Sequence, residues 1–123
     1  MAERAENLAK KVAGPQRFRS ERSFQLAVER ECRNYGWRYY HVRDSRSVSG
    51  KAGKGFPDLV IMRPPCLMFV ELKLEFNYCS REQDQWLRGL KGCGQHAFVL
   101  TPKRFPQFIA TLKHSVKAVA RAI

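Results

Sequence analysis

Two acidic residues and a lysine are spaced in this sequence as metal-assisted hydrolysis would require. Asp58 opens an apolar run at residues 58–62, and Glu71 and Lys73 lie near the end of a second run at residues 67–74. In a β-strand, alternation places Glu71 and Lys73 on one face, roughly 6.6 Å apart. Asp58 lies on the neighbouring strand, so its carboxylate can converge with that of Glu71. Two such carboxylates suit Mg²⁺ or Mn²⁺, and the lysine can orient or activate a water molecule.

A glycine-rich basic loop at residues 43–55 leads directly towards Asp58. A nucleotide-binding phosphate loop requires the pattern G-x-x-x-x-G-K-[ST] followed by a helix. Here Phe56, Pro57 and a strand follow the last glycine, so the sequence excludes that kind of site. The loop instead predicts contacts with nucleic-acid phosphates, because its glycines let it adapt to a duplex and its cations neutralise the backbone. The predicted phosphate-binding residues are Arg43, Arg46, Lys51 and Lys54.

The composition indicates a globular protein that binds a polyanion. The chain has 123 residues, which fits one domain, and its 23 Lys and Arg residues outnumber its 11 Asp and Glu residues. The formal net charge of +12 makes a polyanionic partner the natural expectation. The uncharged apolar runs are too short to span a bilayer, and the charged N-terminus lacks the apolar core of a signal peptide. We therefore expect an intracellular protein, cytoplasmic or nucleoid-associated, whose partner is nucleic acid rather than a membrane.

Cysteine spacing does not favour a zinc or iron–sulfur centre. The four cysteines, at positions 32, 66, 79 and 93, include no pair at the C-x-x-C spacing of such sites. We expect reduced thiols that pack as small core or surface residues.

The elements that must position the acidic residues follow from hydrophobic spacing, caps and turns. Residues 1–19 are predicted as a basic tail and residues 20–123 as the domain. The predicted helices cover residues 20–35 and 80–91 and a last amphipathic segment that starts between residues 102 and 106 and runs to residue 123. The predicted strands cover residues 37–42, 58–62, 67–74 and 97–100. The resulting order, α-β-β-β-α-β-α, predicts an α/β fold with a mixed sheet flanked by helices.

Three motifs in this order carry a resemblance to a known family. The motifs are GFPDLV at residues 55–60, ELK at residues 71–73 and S-x-x-Q at the helix start, residues 80–83. Together they resemble the PD-(D/E)XK nuclease superfamily and most of all its VRR-NUC branch, over about residues 20–101. The resemblance implies a restriction-endonuclease-like α-β-β-β-α-β core and a Mg²⁺-dependent endonuclease. Compact stand-alone members are similar to phage-type Holliday-junction resolvases, which makes branched DNA the implied substrate.

The resemblance also implies individual roles for the central residues. Asp58 and Glu71 would be metal ligands, with the backbone carbonyl of Leu72 as a third ligand. Lys73 would position and activate the attacking water. Mg²⁺ is the implied cofactor, and Mn²⁺ can substitute for it.

Two helix starts carry further candidates for the catalytic site. The family has an acidic residue on its first helix, and Glu21 is our candidate because it lies one turn before Phe24, near the edge of the apolar stripe. Glu31 is the second choice, whereas Glu29 is predicted to point away from the stripe. Gln83 could orient a ligand or a phosphate, or it could serve only in the capping box of its helix.

The sequence is also consistent with functions other than a branched-DNA nuclease, and it leaves the oligomeric state undecided. A non-catalytic nucleic-acid-binding module is one alternative, although the intact set of two acids and a lysine argues against it. A restriction-type nuclease would need additional recognition segments, and a flap or single-nick nuclease is a third possibility. Resolution of a four-way junction favours a two-fold homodimer. The candidate contacts are Phe108, Leu112 or Val116 of the last helix, whose apolar stripe could instead pack in the core. The aromatic strand at residues 37–40 is the other possible edge.

Overall fold

The computed structural model describes residues 18–42, 52–75 and 79–114. The elements are α1 (Glu21–Asn34), β1 (Arg38–His41), β2 (Leu59–Arg63), β3 (Cys66–Leu72), α2 (Arg81–Gly92), β4 (His96–Leu100), a 3₁₀ turn (Pro102–Arg104) and α3 (Phe105–Lys113). The predicted order of elements is therefore confirmed. Arg43, Arg46, Lys51 and Val116, and residues 1–17 of the predicted tail, lie outside the described residues. No helix in the described part of the chain is long and apolar enough to cross a membrane.

The four strands form one mixed sheet in the order β1-β2-β3-β4. The first two pairs are antiparallel. Residues 64–65 form a short link between β2 and β3, whereas residues 42–58 join β1 to β2. Strands β3 and β4 are parallel, since α2 crosses from the end of one to the start of the other. The fold is thus an α/β fold with a mixed sheet flanked by helices, as the sequence predicts.

The two faces of the sheet have different roles. Ile61, Met68 and Val70 are fully buried on one face, which packs against α1 and α3 and is called the core face below. The aromatic residues Phe24 and Phe105 join the two helices there, with ring centroids 5.5 Å apart. The alternate residues of each strand lie on the opposite face, called the α2 face, and Glu71 is among them. Alternation along β3 therefore places the residues that pack in the core on one face and the carboxylate of Glu71 on the other.

The last helix differs from the sequence prediction in its length and in its role. It ends at Lys113, because His114 has an extended backbone at φ −75° and ψ 168°. Phe108 and Leu112 are buried in the core of their own chain, and the Leu112 carbonyl accepts a hydrogen bond of 3.1 Å from Trp37 Nε1. The prediction that these two residues form dimer contacts was wrong, because the apolar stripe is already covered by the core face of the sheet.

Candidate active site

The segment before Asp58 is held against the start of α2. Gly55 has φ +86°, and a Cβ at this position would lie 2.6 Å from the backbone carbonyl carbon of Glu82. Trp86 Nε1 donates a hydrogen bond of 3.1 Å to the carbonyl of Lys54, and its ring packs edge-on against Phe56 at 4.9 Å. Only glycine has both the required conformation and the required lack of a side chain here. The GFPD motif therefore packs against α2, and this contact fixes the position of Asp58.

Strand pairing then brings Asp58 next to Glu71. Leu59 pairs with Val70 across the antiparallel ladder, so the preceding residue, Asp58, lies beside Glu71 on the α2 face. Asp58 Oδ2 accepts a hydrogen bond of 2.8 Å from the backbone N–H of Leu72. The predicted convergence of the two carboxylates is thus present in the structure.

Glu71 is a buried carboxylate with two side-chain partners. It is 3% exposed, Gln83 Nε2 donates to its Oε2 at 2.9 Å, and Lys73 Nζ lies 3.5 Å from the same oxygen. Burial raises the pKa of Glu71 to about 8, and the negative charge of Asp58 acts in the same direction, whereas Lys73 opposes the shift. Burial also raises the pKa of Asp58, against the hydrogen bond from Leu72 and the charge of Lys73. Two buried carboxylates that disfavour each other's charge form a site that a cation would stabilise.

Gln83 caps α2 and also hydrogen-bonds the Glu71 carboxylate. Its Oε1 accepts a hydrogen bond of 2.9 Å from the backbone N–H of Ser80, which completes the capping box of α2. Its Nε2 is then directed at Glu71. The cap therefore holds the amide in the orientation that positions the Glu71 carboxylate.

The acidic residues of α1 are arranged differently from the prediction in one respect. Glu21 is the first residue of α1 and is exposed, and its charge adds to the rise in the pKa of Glu71 that burial and the Asp58 charge cause. Glu29 is buried, 9% exposed, and accepts a hydrogen bond of 2.6 Å from Gln25 Nε2. The prediction placed Glu29 off the apolar stripe, and the hydrogen bond that Gln25 donates accounts for its burial there. Glu31 is partly buried and hydrogen-bonds within its own helix.

Lys54, a predicted phosphate contact, forms an exposed ion pair on the surface. Its Nζ lies 3.8 Å from Glu82 Oε1, which is a weak interaction.

Thr101 lies next to Lys73 at the end of the parallel strand pair. It follows β4, and the hydrogen bond of 3.1 Å from the Lys73 N–H to the Leu100 carbonyl places Thr101 across from Lys73. Its Oγ1 is buried and has no partner within the described ranges. Sequence reasoning missed Thr101, since a single threonine after a strand carries no distinguishing pattern.

The two carboxylates suit Mg²⁺ better than a metal that needs three or more protein side chains as ligands. Among the described residues, no three His, Cys, Asp or Glu side chains form a cluster that could hold a metal. Mg²⁺ is usually held by only one or two carboxylates, together with waters and substrate phosphates. Asp58 and Glu71 provide those two carboxylates, and the main chain of Leu72 lies beside them. The residues present therefore fit a Mg²⁺ ion.

The comparisons with known proteins agree with this geometry. The family model for the VRR-NUC domain matches residues 8–103, a range that includes Asp58, Glu71, Lys73 and Gln83. The chain belongs to the VRR-NUC domain family. Its general class is therefore nuclease, and the resemblance carried by the GFPDLV and ELK motifs is confirmed.

Curated proteins and solved structures give different results for the VRR-NUC chain. No curated protein matches it. Among solved structures it is similar to Hjc, a Holliday junction resolvase from the archaeal hyperthermophile Archaeoglobus fulgidus, with 22% sequence identity and a TM-score of 0.47. The match covers 63% of this chain and 63% of the resolvase.

The buried carboxylates predict a stability that depends on pH when the VRR-NUC domain is kept in chelator. The pKa of Glu71 is raised from 4.5 to about 8 in the folded chain, so the folded state keeps a proton that the unfolded state releases. The free energy of unfolding should therefore fall as pH rises from about 5 to 8, by roughly 2–4 kcal/mol more than in Glu71→Gln. Urea denaturation of both proteins at a series of pH values measures this difference. Parallel curves for the two proteins would contradict it.

Proposed function

We propose that this VRR-NUC protein is a Mg²⁺-dependent, structure-selective DNA endonuclease that hydrolyses phosphodiester bonds in branched DNA such as Holliday junctions. The supporting observation is the group of Asp58, Glu71 and Lys73 on one face of the sheet, with Lys73 Nζ 3.5 Å from the Glu71 carboxylate. A pair of buried acids at the end of a basic loop suits hydrolysis of a polyanion. A non-catalytic binding module would gain nothing from two buried carboxylates that repel the phosphate backbone.

Each residue of the group would have a distinct role. Asp58 and Glu71 would hold Mg²⁺ together with the Leu72 carbonyl, and the bound ion supplies polarisation of the phosphate and a lower pKa for a coordinated water. Lys73 would hydrogen-bond the attacking water and balance the negative charge that develops on the phosphate. Gln83 would keep the Glu71 carboxylate in its orientation through the hydrogen bond from its amide. Glu21 would act at the edge of the site, at the N-terminus of α1.

The test compares three DNA substrates of equal length and sequence. A four-way junction, a flap and a linear duplex are incubated with the protein in Mg²⁺ and, in parallel, in chelator. We expect cleavage in Mg²⁺ alone, with the junction cut at least about tenfold faster than the linear duplex, which corresponds to about 1.4 kcal/mol. Cleavage that persists in chelator would contradict the metal assignment, and equal rates on all three substrates would contradict selectivity for branched DNA.

The basic loop is expected to bind backbone phosphates and not base edges. We propose Arg43, Arg46, Lys51 and Lys54 as the contacts, and Arg46→Ala should weaken binding to a similar extent for all DNA sequences. The negative slope of log K against log salt should become shallower by about one for each lost phosphate contact. Fluorescence anisotropy at several salt concentrations measures both quantities. Lys91→Ala, at the opposite end of α2, is the matched control and should leave the slope unchanged.

A two-fold homodimer is proposed because a junction needs two cuts and one chain has one pair of carboxylates. The buried state of Phe108 and Leu112 excludes them from the interface, so other surfaces must form it. Sedimentation velocity at micromolar protein, alone and with junction DNA, should show two chains per complex. A monomer that stays monomeric on the junction would contradict paired cuts and favour a flap or single-nick nuclease.

A further inference from the structure

One half of the α2 face lies open next to the active site. Across the β1–β2 ladder, Arg38 pairs with Met62 and Tyr40 pairs with Val60, and these four residues share one face. We call them the open face. The intervening pair, Tyr39 and Ile61, lies on the core face, where Ile61 is fully buried.

The open face exposes large side chains that a folded protein normally covers. Tyr40 is 63% exposed and Met62 is 38% exposed, although both lie on a sheet. Within the described ranges, α2 packs on β4 and reaches Glu71 on β3, so no described helix covers β1 and β2 on this side. Tyr40 and Met62 lie diagonally across the β1–β2 ladder, and exposed apolar side chains grouped in this way favour a binding surface.

The open face is continuous with the carboxylates. Val60 follows Asp58 by two residues on the same face of the sheet, a separation of roughly 6.8 Å along the strand. Tyr40 is paired with Val60, so its ring lies in the row of side chains next to the carboxylates. The backbone N–H of Val42, two residues after Tyr40, donates a hydrogen bond of 2.8 Å to the Asp58 carbonyl, which ties the end of β1 to the site. A nucleic-acid strand with its scissile phosphate at the carboxylate site would be within reach of Tyr40.

Charge and side-chain chemistry favour DNA as the occupant. The open face contains one arginine and no carboxylate, and it belongs to a chain of net charge +12 whose basic loop starts directly after β1. A tyrosine beside a phosphate site is the arrangement by which proteins stack unpaired bases. In an intact duplex the base faces are covered by stacking, whereas at a branch point a base can leave the stack at low cost.

We propose that the open face binds the nucleotide next to the scissile phosphate, with Tyr40 stacked on its unstacked base and Arg38 on the adjacent backbone. This inference rests on the proposed nuclease function and deepens it, because it names the part of the protein that selects branched DNA. A linear duplex offers no free base face to Tyr40, so it gains nothing from this contact. The selectivity for branches is then a property of β1 and not of the carboxylates.

The experiment combines a protein substitution with a substrate change. The cut position is first mapped on a four-way junction, and single abasic nucleotides are then placed on either side of it. Tyr40→Ala should lower kcat/KM on the intact junction by about tenfold or more and change the rate on linear duplex by less than about twofold. When the abasic nucleotide removes the base that stacks on Tyr40, the kcat/KM of the wild type should fall by the same factor. On that substrate, Tyr40→Ala should lower kcat/KM no further.

Two control variants and a binding measurement support the interpretation. Tyr40→Phe keeps the ring and should cleave like the wild type. Leu26→Ala removes another exposed apolar side chain, 51% exposed and located on α1, and should leave cleavage and binding unchanged. Anisotropy in chelator gives a second measurement that needs no catalysis, since Tyr40→Ala should weaken binding to the junction but not to the linear duplex.

Different results would overturn different parts of the proposal. If the wild type cuts junctions in Mg²⁺ and Tyr40→Ala cuts and binds them equally well, the inference fails while the proposed function stands. The inference also fails if Tyr40→Ala and the abasic nucleotide lower kcat/KM independently, so that the combined loss is the product of the two separate losses. If Tyr40→Ala converts a dimer to a monomer in sedimentation, the open face joins two copies of the chain and does not bind DNA. If the wild type cuts no DNA, the proposed function fails, and the binding measurement in chelator still decides the role of Tyr40.

Discussion

Asp58→Asn and Glu71→Gln are each expected to lower the rate of junction cleavage in Mg²⁺ by about a thousandfold or more. Either substitution replaces one of the two carboxylates that would hold the ion with a neutral amide. The ion is expected to supply several kcal/mol of transition-state stabilisation, and each 1.36 kcal/mol lost slows the reaction about tenfold. Single-turnover cleavage of a labelled four-way junction measures the loss. DNA binding in chelator should persist, because neither side chain is expected to contact the backbone without the metal.

A surface control and a stability measurement separate this effect from misfolding. Asp84→Asn removes an exposed acid that pairs with Arg88 at 2.8 Å on the surface of α2, and it should cleave like the wild type. Asp58→Asn removes one of two buried, mutually repelling charges, so we expect its melting temperature in chelator to equal or exceed that of the wild type. Wild-type cleavage rates for Asp58→Asn or Glu71→Gln in Mg²⁺ would show that these carboxylates do not hold the ion.

Gly55→Ala is expected to cause the second largest loss, although Gly55 has no side chain that could take part in the reaction. The new Cβ would lie 2.6 Å from the backbone of Glu82, and the backbone at φ +86° is unfavourable for alanine. The loop must move off α2, and with it Asp58, three residues later. A displacement of about 1 Å in a catalytic group can cost 10²-fold in rate, and the strain should lower the free energy of unfolding by about 2–4 kcal/mol. Cleavage kinetics and urea denaturation measure the two losses.

Two other glycines separate the contributions to the Gly55 effect. Gly36 has φ +77°, and a Cβ at this position would have no other atom within 4 Å, so Gly36→Ala isolates the cost of the backbone conformation. Gly89 lies inside α2 with open space around it, and Gly89→Ala should stabilise that helix slightly. Both variants should keep nearly full activity. If Gly36→Ala loses as much cleavage as Gly55→Ala, the contact with α2 is not what positions Asp58.

Most of the fold could be predicted because its signals are local. Helix α1 starts at the cap Ser20 and its C-terminal turn includes Gly36 at φ +77°, and the capping box of α2 occurs where Ser80 and Gln83 predict it. The short link at residues 64–65 requires β2 and β3 to be antiparallel. A local pattern is visible in the sequence because the residues that form it lie within a few positions of each other.

The central acids were also predictable, for a related reason. Asp58 lies at the start of one strand and Glu71 near the end of its hairpin neighbour, so alternation and a short turn bring them together. The same period of two places Lys73 on the side of Glu71. No distant part of the chain has to be known for these three residues to converge.

The covering of each surface was decided only by the tertiary structure. The apolar stripe of α3 is equally consistent with a dimer interface and with a core, and packing against the sheet buries Phe108 and Leu112. Glu29 is buried with its carboxylate hydrogen-bonded by Gln25, and Thr101 comes to lie beside Lys73 through the parallel pairing of β3 and β4. By itself, the sequence determined the strands, the caps and the convergent acids, whose positions follow from local periodicity. Contacts between residues far apart in the chain decide which faces are covered and which stay open, as the face of Tyr40 does. Such contacts form no periodic pattern in the sequence.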